Sequence, residues 1–231
     1  VVAHNGNIVN ATQLHDELVA GGVRLQTSTD SEVMTHLIAR TPGVTILDKL
    51  AAALPRLVGA YSLAILTPTR LIAVRDPNGI RPLCLGRLDD GWVVASETCA
   101  LATVGARFER EVEPGEIVSI GPGGIESTTI DQLRRNKLCV FELIYFARPD
   151  SMMQGERLYL VRQRMGAELA REHPVDADIV LGIPDSATPA AIGYARESGI
   201  PYSEGLIKNR YIGRTFIQPD QRMREVSVHL K

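Results

Sequence analysis

Cysteine is scarce in this sequence: Cys84, Cys99 and Cys139 are the only three in 231 residues. Their number is odd and no two have CxxC spacing, which argues against a disulfide framework and fits a reducing compartment such as the cytoplasm. Each thiol is by default a small buried hydrophobe. An excess of charge of one sign is also lacking. The formal net charge of -2 gives no global field to favour nucleic acid or an acidic membrane surface. No apolar run approaches the roughly 18 residues of a membrane span, and no signal peptide, internal repeat or low-complexity stretch is visible. What remains is an ordinary globular composition, 45% hydrophobic and 23% charged, in a length that suits one large or two small domains. Val1-Val2-Ala3 has the look of a strand end and the last residues carry no cap, so both ends are expected to be cut.

Local pattern divides the chain. Residues 11–22 place Leu14, Leu18 and Val19 at helical spacing before Gly21-Gly22. A second helix is expected from Thr29 or Asp30, with Val33, Met34, Leu37 and Ile38 as its apolar stripe, and a third over 45–55. Short apolar runs then pair across turn signals: Ala60–Leu66 with Leu71–Arg75, Arg81–Gly86 with Trp92–Ser96, and Glu116–Ile120 with Ile125–Thr129. Helices followed by an antiparallel meander predict an α+β layered domain. Beyond about 136 the pattern becomes strand Val140–Phe146, helix Arg157–Glu172 (Val161, Met165, Leu169 and Ala170 on one side), strand Ile179–Ile183, helix Thr188–Ser198 and a strand from Ile200, the mark of an α/β parallel sheet. The boundary is placed near Arg134–Lys137, giving domains 1–135 and 136–231.

Two constellations carry chemistry. His4-Asn5-Gly6-Asn7 is a turn signal on its own. It is also an Asn side-chain amide beside a Gly N–H, the pair of donors an amide hydrolase needs for an oxyanion. Thr27-Ser28-Thr29-Asp30-Ser31-Glu32 is a helix N-cap with acidic residues in the first turn, and Asp30 is equally able to meet the ammonium of an amino-acid substrate. Further on, Ile183-Pro184-Asp185-Ser186-Ala187-Thr188 joins a strand to a helix, where parallel sheets bind anions. From Lys208 to Arg224 five cations (Lys208, Arg210, Arg214, Arg222, Arg224) stand against the single anion Asp220, interleaved with Tyr211, Phe216 and Ile217. A charge run is usually a solvated face; the apolar residues here suit a lid that closes on something.

Together HNGNIVN, TSTDSEV, the RDPNGIRPL block and ASET resemble the class II glutamine amidotransferase domain. The block Cys139–Ser151 and the segment Lys208–Pro219 resemble, within that group, the amidophosphoribosyltransferase family. The resemblance implies a partial layered domain of the N-terminal nucleophile hydrolase type, then a partial phosphoribosyltransferase-type domain. It implies that Asn5 and Gly6 form the oxyanion hole and that Asp30 binds glutamine. It places Lys208, Arg210 and Arg214 on the phosphoribosyl pyrophosphate loop, Tyr145, Tyr211 and Ile217 along an ammonia channel, Ser186 at Mg²⁺, and Cys139 as one ligand of a [4Fe-4S] cluster. Arg75 and Asp76 are read as framework. The implied reaction moves the glutamine amide nitrogen to phosphoribosyl pyrophosphate, the first committed step of purine synthesis, in a cytoplasmic homo-oligomer subject to feedback by purine nucleotides. The family's nucleophilic cysteine and its carboxylate-binding arginine are expected upstream of His4, and its paired-aspartate phosphoribosyl motif downstream of Lys231, so residues 1–231 alone are expected to be inactive. The rivals are another class II amidotransferase, of the sugar-phosphate or asparagine synthetase type, or a homologue without catalysis.

Overall fold

The computed structural model describes residues 1–130, 136–209, 211–213, 215 and 218–230. In chain order the elements are β1 (Val2–Ile8), α1 (Ala11–Ala20), α2 (Asp30–Arg40), α3 (Ile46–Ala53), β2 (Gly59–Leu66), β3 (Leu71–Arg75), β4 (Cys84–Leu88), β5 (Gly91–Ala95), α4 (Thr98–Thr103), β6 (Arg107–Glu111), β7 (Glu116–Gly121), β8 (Gly124–Thr129), α5 (Leu158–Glu172), α6 (Thr188–Ser198) and α7 (Gln221–Leu230). The chain separates into two compact units, Val1–Glu142 with Ser151–Gly155, and Leu143–Asp150 with Glu156–Lys231.

The first unit is layered α+β, as its pattern predicts. Strands β1-β2-β3-β7-β8 form one antiparallel sheet, and β5-β4-β6 a second. Side chains alternate across the first sheet. Tyr61, Leu63, Ile65, Ile72, Val74 and Ile117 face α1–α3 and join Leu14, Met34, Leu37 and Leu50 in the larger core. Ala73 and Val118 face the other way and pack with Leu83, Leu85 and Val112. The three predicted hairpins are all present, because their turns are only a few residues long and local pairing suffices to set register. Of the two N-caps offered for α2, Thr29 is used: its hydroxyl accepts from Glu32 N. Helix α3 starts with a reciprocal capping box between Thr45 and Asp48.

The second unit is built on a close crossing of α5 and α6. A Cβ on Gly166 would lie 1.8 Å from Ala190 O, and one on Gly193 would lie 1.9 Å from Gln163 O, so only glycine admits this approach. Three expectations need correction here. Val140–Phe146 is not a strand: Glu142–Phe146 is a π-helical turn. A short apolar run does not distinguish helix from strand, and the buried member is Glu142, whose carboxylate takes a 2.7 Å ion pair from Arg81. Ile179–Ile183 is not a buried strand either. Its one β-bridge is the parallel pairing of Val180 with Tyr202, and Ile183 is 62% exposed. Finally, of the predicted side of α5 only Ala170 is buried; Val161 and Met165 are half-buried, Leu169 is exposed, and Leu158, Arg162 and Gly166 are buried with Ala170 instead. Arg162 is drawn inward because its guanidinium donates to Leu143 O and Ala147 O, both at 2.7 Å. The predicted joint falls partly on Arg134, outside the described residues.

Candidate functional site

The His4–Asn7 motif lies within a strand and not in a turn after one. Asn5 and Gly6 pair in continuous register with Ser62 and Tyr61 of β2. Gly6 has φ of 154°, and a Cβ there would sit 2.0 Å from Ala60 O; the glycine is required by this approach. Among the described strands β1 is an edge of its sheet. Hydrogen bonds at its two ends set the direction of every N–H between them. Val1 N donates to Leu66 O and Val9 N to Val58 O, so the odd-numbered N–H groups face β2. Ile8 N instead donates to Asp30 Oδ2 at 3.1 Å. Alternation along an antiparallel strand therefore turns the Gly6 N–H outward, to the same open edge as Ile8 N–H.

Side chains alternate as well. The Asn5 amide lies on the face opposite the helices, where Nδ2 donates to Ser96 Oγ at 3.2 Å. Asn5, Ser62, Ala64, Leu83, Val94 and Ser96 line a cavity of about 200 Å³. Ser96 lies in the ASET block, 91 residues from Asn5 and just after β5, and it is the fold that brings the two together. Asp30, at the start of α2, ties that helix to the open edge of β1 through Ile8 N, while Oδ1 is 3.4 Å from Ser31 Oγ.

Arg75 and Asp76 are framework, as read from the sequence. The buried Arg75 guanidinium donates to the carbonyls of Gly79, Arg81 and Val112, and the buried Asp76 carboxylate accepts from Asn78 N and Ile80 N. Burial pushes Asp76 above the usual carboxylate range, against the pull of those N–H groups, and pushes Arg75 below its ordinary value. Burial also lifts the Cys84 thiol to about 12. Its Sγ points to Ala95 O at 3.3 Å, and Cys99 is buried too.

In the second unit, Lys208 Nζ pairs with Asp185 Oδ2 at 2.9 Å. This brings the start of the basic segment to the turn that opens α6. Asp185, Thr188, Tyr202, Lys208, Gly182 and Tyr159 help line a cavity of about 270 Å³ there. Ser186 is half-buried in the same turn, beside Asp185. Asp185 was not singled out in advance, since its partner lies 23 residues away. Arg210, Arg214 and Ile217 lie outside the described residues. Tyr211 is 98% exposed, and Tyr145 tilts against Phe146 with ring centroids 5.9 Å apart. Cys139 is half-buried and its N–H donates to Ile80 O. Among the described residues no three His, Cys, Asp or Glu side chains group as metal ligands, and no helix is long and apolar enough to cross a membrane.

The family described as glutamine amidotransferase domain matches residues 1–103. An amidophosphoribosyltransferase of Synechococcus elongatus is 52% identical over 236 residues, covering 100% of this chain and 48% of that protein. That of Bacillus subtilis is 50% identical over 230 residues, again covering 100% of this chain and 48% of the relative. The Archaeoglobus fulgidus amidophosphoribosyltransferase is 49% identical over 232 residues, 100% of this chain and 51% of its own length. A solved structure of the B. subtilis glutamine phosphoribosylpyrophosphate amidotransferase, complexed with ADP and GMP, superposes with a TM-score of 0.89 at 51% identity, over 97% of this chain and 50% of that one. The chain thus spans about half the length of the curated relatives it matches. The layered first unit agrees with the N-terminal nucleophile hydrolase-type fold expected for it.

Proposed function

We propose, on the premise that this chain is homologous along its whole length to amidophosphoribosyltransferases, that the polypeptide carrying it transfers the glutamine amide nitrogen to phosphoribosyl pyrophosphate. The products are 5-phosphoribosylamine, glutamate and pyrophosphate, at the entry to purine synthesis. The observation that carries this reading is an overall identity near one half in alignments that span the whole chain, so that both constellations are covered and not the glutaminase side alone.

The geometry around β1 supports the glutaminase half. A cysteine upstream of His4 is the nucleophile, with its own α-amine as base. The outward Gly6 N–H and the Asn5 amide are the donors for the oxyanion; they are fixed by the strand before reaction, so little reorganisation is needed as charge develops. Asp30 receives the substrate ammonium through the carboxylate oxygen not held by Ile8 N. The α/β phosphoribosyltransferase-type fold of the second unit belongs to the same proposal, and the Lys208–Asp185 tie supports it by drawing the basic segment to the helix N-terminus. Arg210 and Arg214 add phosphate contacts from the lid, and Tyr145, Tyr211 and Ile217 border the ammonia path. When bound, Mg²⁺ supplies neutralisation of the pyrophosphate leaving group. Ser186, half-buried in the turn before α6, would hold it through its hydroxyl, with substrate phosphates and water as the other ligands. Cys139 is proposed as one thiolate of a [4Fe-4S] cluster, which takes four. The described residues do not supply the others, and no step is assigned to it. Purine nucleotides as feedback ligands and assembly into a homo-oligomer complete the proposal.

The test is a two-substrate assay on the full-length polypeptide. Glutamine with phosphoribosyl pyrophosphate should release glutamate and pyrophosphate in equal amounts. Glutamate release that does not depend on a phosphoribosyl donor would assign the chain to a different amidotransferase, and no release at all would leave only a non-catalytic homologue.

A further inference from the structure

His4 precedes Asn5 and Gly6 on β1 but turns away from the Asn5 amide. Even-numbered side chains of β1 face the helices, so its ring lies on the opposite face from the Asn5 amide, with Ile8 and the core. The side chain is 3% exposed. Nδ1 lies 3.2 Å from Ser31 Oγ and 3.6 Å from Asp30 Oδ1. Ser31 Oγ is in turn 3.4 Å from Asp30 Oδ1. Nε2 is buried without a partner among the described side-chain atoms, and a Cβ on Gly6 would meet it at 2.8 Å. The ring therefore fills the space left by the bare Gly6 and reaches from there to the N-terminus of α2.

We infer that His4 is a positioning residue that sets the Asp30 carboxylate, and through it the place of the glutamine ammonium, relative to the oxyanion donors of β1. This rests on the proposed roles of Asp30, Asn5 and Gly6. With the hydrogen on Nδ1, the ring donates to Ser31 Oγ, and the Ser31 hydroxyl donates to Asp30 Oδ1. One carboxylate oxygen is then held by Ile8 N and the other is oriented by the His4–Ser31 pair. Both supports come from or lead back to β1. The carboxylate is thus held against the same strand that carries the Gly6 N–H, and the distance between the two ends of a bound glutamine is built into that contact. Such preplacement matters because a small displacement of a charged contact is costly to binding while leaving the reacting groups themselves intact.

The test compares His4→Leu, His4→Asn and Ser31→Ala in the full-length enzyme, with glutamine and with ammonium chloride as alternative nitrogen donors. His4→Leu should raise the KM for glutamine about tenfold or more, with a smaller change in kcat. Ammonia-dependent synthesis and the KM for phosphoribosyl pyrophosphate should stay within about twofold, since ammonia bypasses the glutamine site. His4→Asn keeps a donor near the Nδ1 position and should recover most of the glutamine affinity. Ser31→Ala should show the same pattern as His4→Leu at about a third of its size or more, and it tests the relay should His4→Leu not fold. An unchanged glutamine KM in a folded His4→Leu or Ser31→Ala enzyme would overturn the inference. So would His4→Asn behaving as badly as His4→Leu, or parallel loss of the glutamine and ammonia activities. If the unaltered enzyme used neither donor, the functional reading itself would fail, which is a separate result.

Discussion

The first unit packs its helices and sheets around a closed apolar core, and the second leaves an apolar cavity open. Met34, Leu50, Leu63 and Ile72 are fully buried in the first. In the second, Ile183, Ile207 and Leu181 are exposed, and Leu169, Val175, Ile179 and Ala190 line an open apolar cavity of about 490 Å³. The contrast follows from strand pairing. Antiparallel neighbours are joined by turns of a few residues, so each run in 59–129 finds its partner nearby. A parallel strand needs a crossover before it meets its partner, and Val180 has only the single bridge to Tyr202. Apolar sequence is thus sufficient for a core only where its pairing partners are also in reach.

The contrast can be pressed by substitution. Gly6→Ala should have the largest effect: a methyl 2.0 Å from the Ala60 carbonyl must part β1 from β2, costing at least about 4 kcal/mol, read from urea unfolding of the first unit. Leu63→Ala, at a fully buried site, should cost about 3 kcal/mol by the same measurement. Glu116→Gln should be smaller and pH-dependent. Burial pushes Glu116 up, but the Arg110 guanidinium, Ser127 hydroxyl and Glu113 N–H more than reverse this, and the net shift is downward from 4.5. A carboxylate lowered in the folded state stabilises fully above its unfolded value and loses that contribution as pH falls through the folded one. Glu116→Gln should therefore cost about 1–3 kcal/mol at pH 7 and progressively less below pH 4.5, so that the two proteins converge in acid. A penalty that grew toward low pH would contradict the sign. Ile183→Ser in the second unit should change thermal stability by less than about 0.5 kcal/mol, because the side chain is already in solvent. A large loss there would show that the open face is covered in the molecule tested.

Legibility followed the same division. The hairpins around Thr67-Pro68-Thr69 and Asp89-Asp90-Gly91, and the cap at Thr29, are written in adjacent residues and were readable. Asn5 and Gly6 were readable as donors but not as the interior of an edge strand. An Asn-Gly pair signals a turn unless a carbonyl such as that of Ala60 comes close enough to demand glycine. Glu142 was hidden inside an apolar run, and its burial goes with a pairing to Arg81, 61 residues away, that no local pattern shows.

What the sequence determined by itself was local: the helices α1, α2, α3, α5 and α6, where the first unit's hairpins turn, and which side chains carry donors, acids and bases. Tertiary structure alone decided which way those groups face. The outward N–H of Gly6, the Asn5 amide against Ser96, the His4–Ser31–Asp30 contact and the Lys208–Asp185 tie each join segments at least 22 residues apart or depend on a strand's place at the sheet edge. Direction in space is set by packing partners, and those are chosen by the fold rather than by neighbours in the chain.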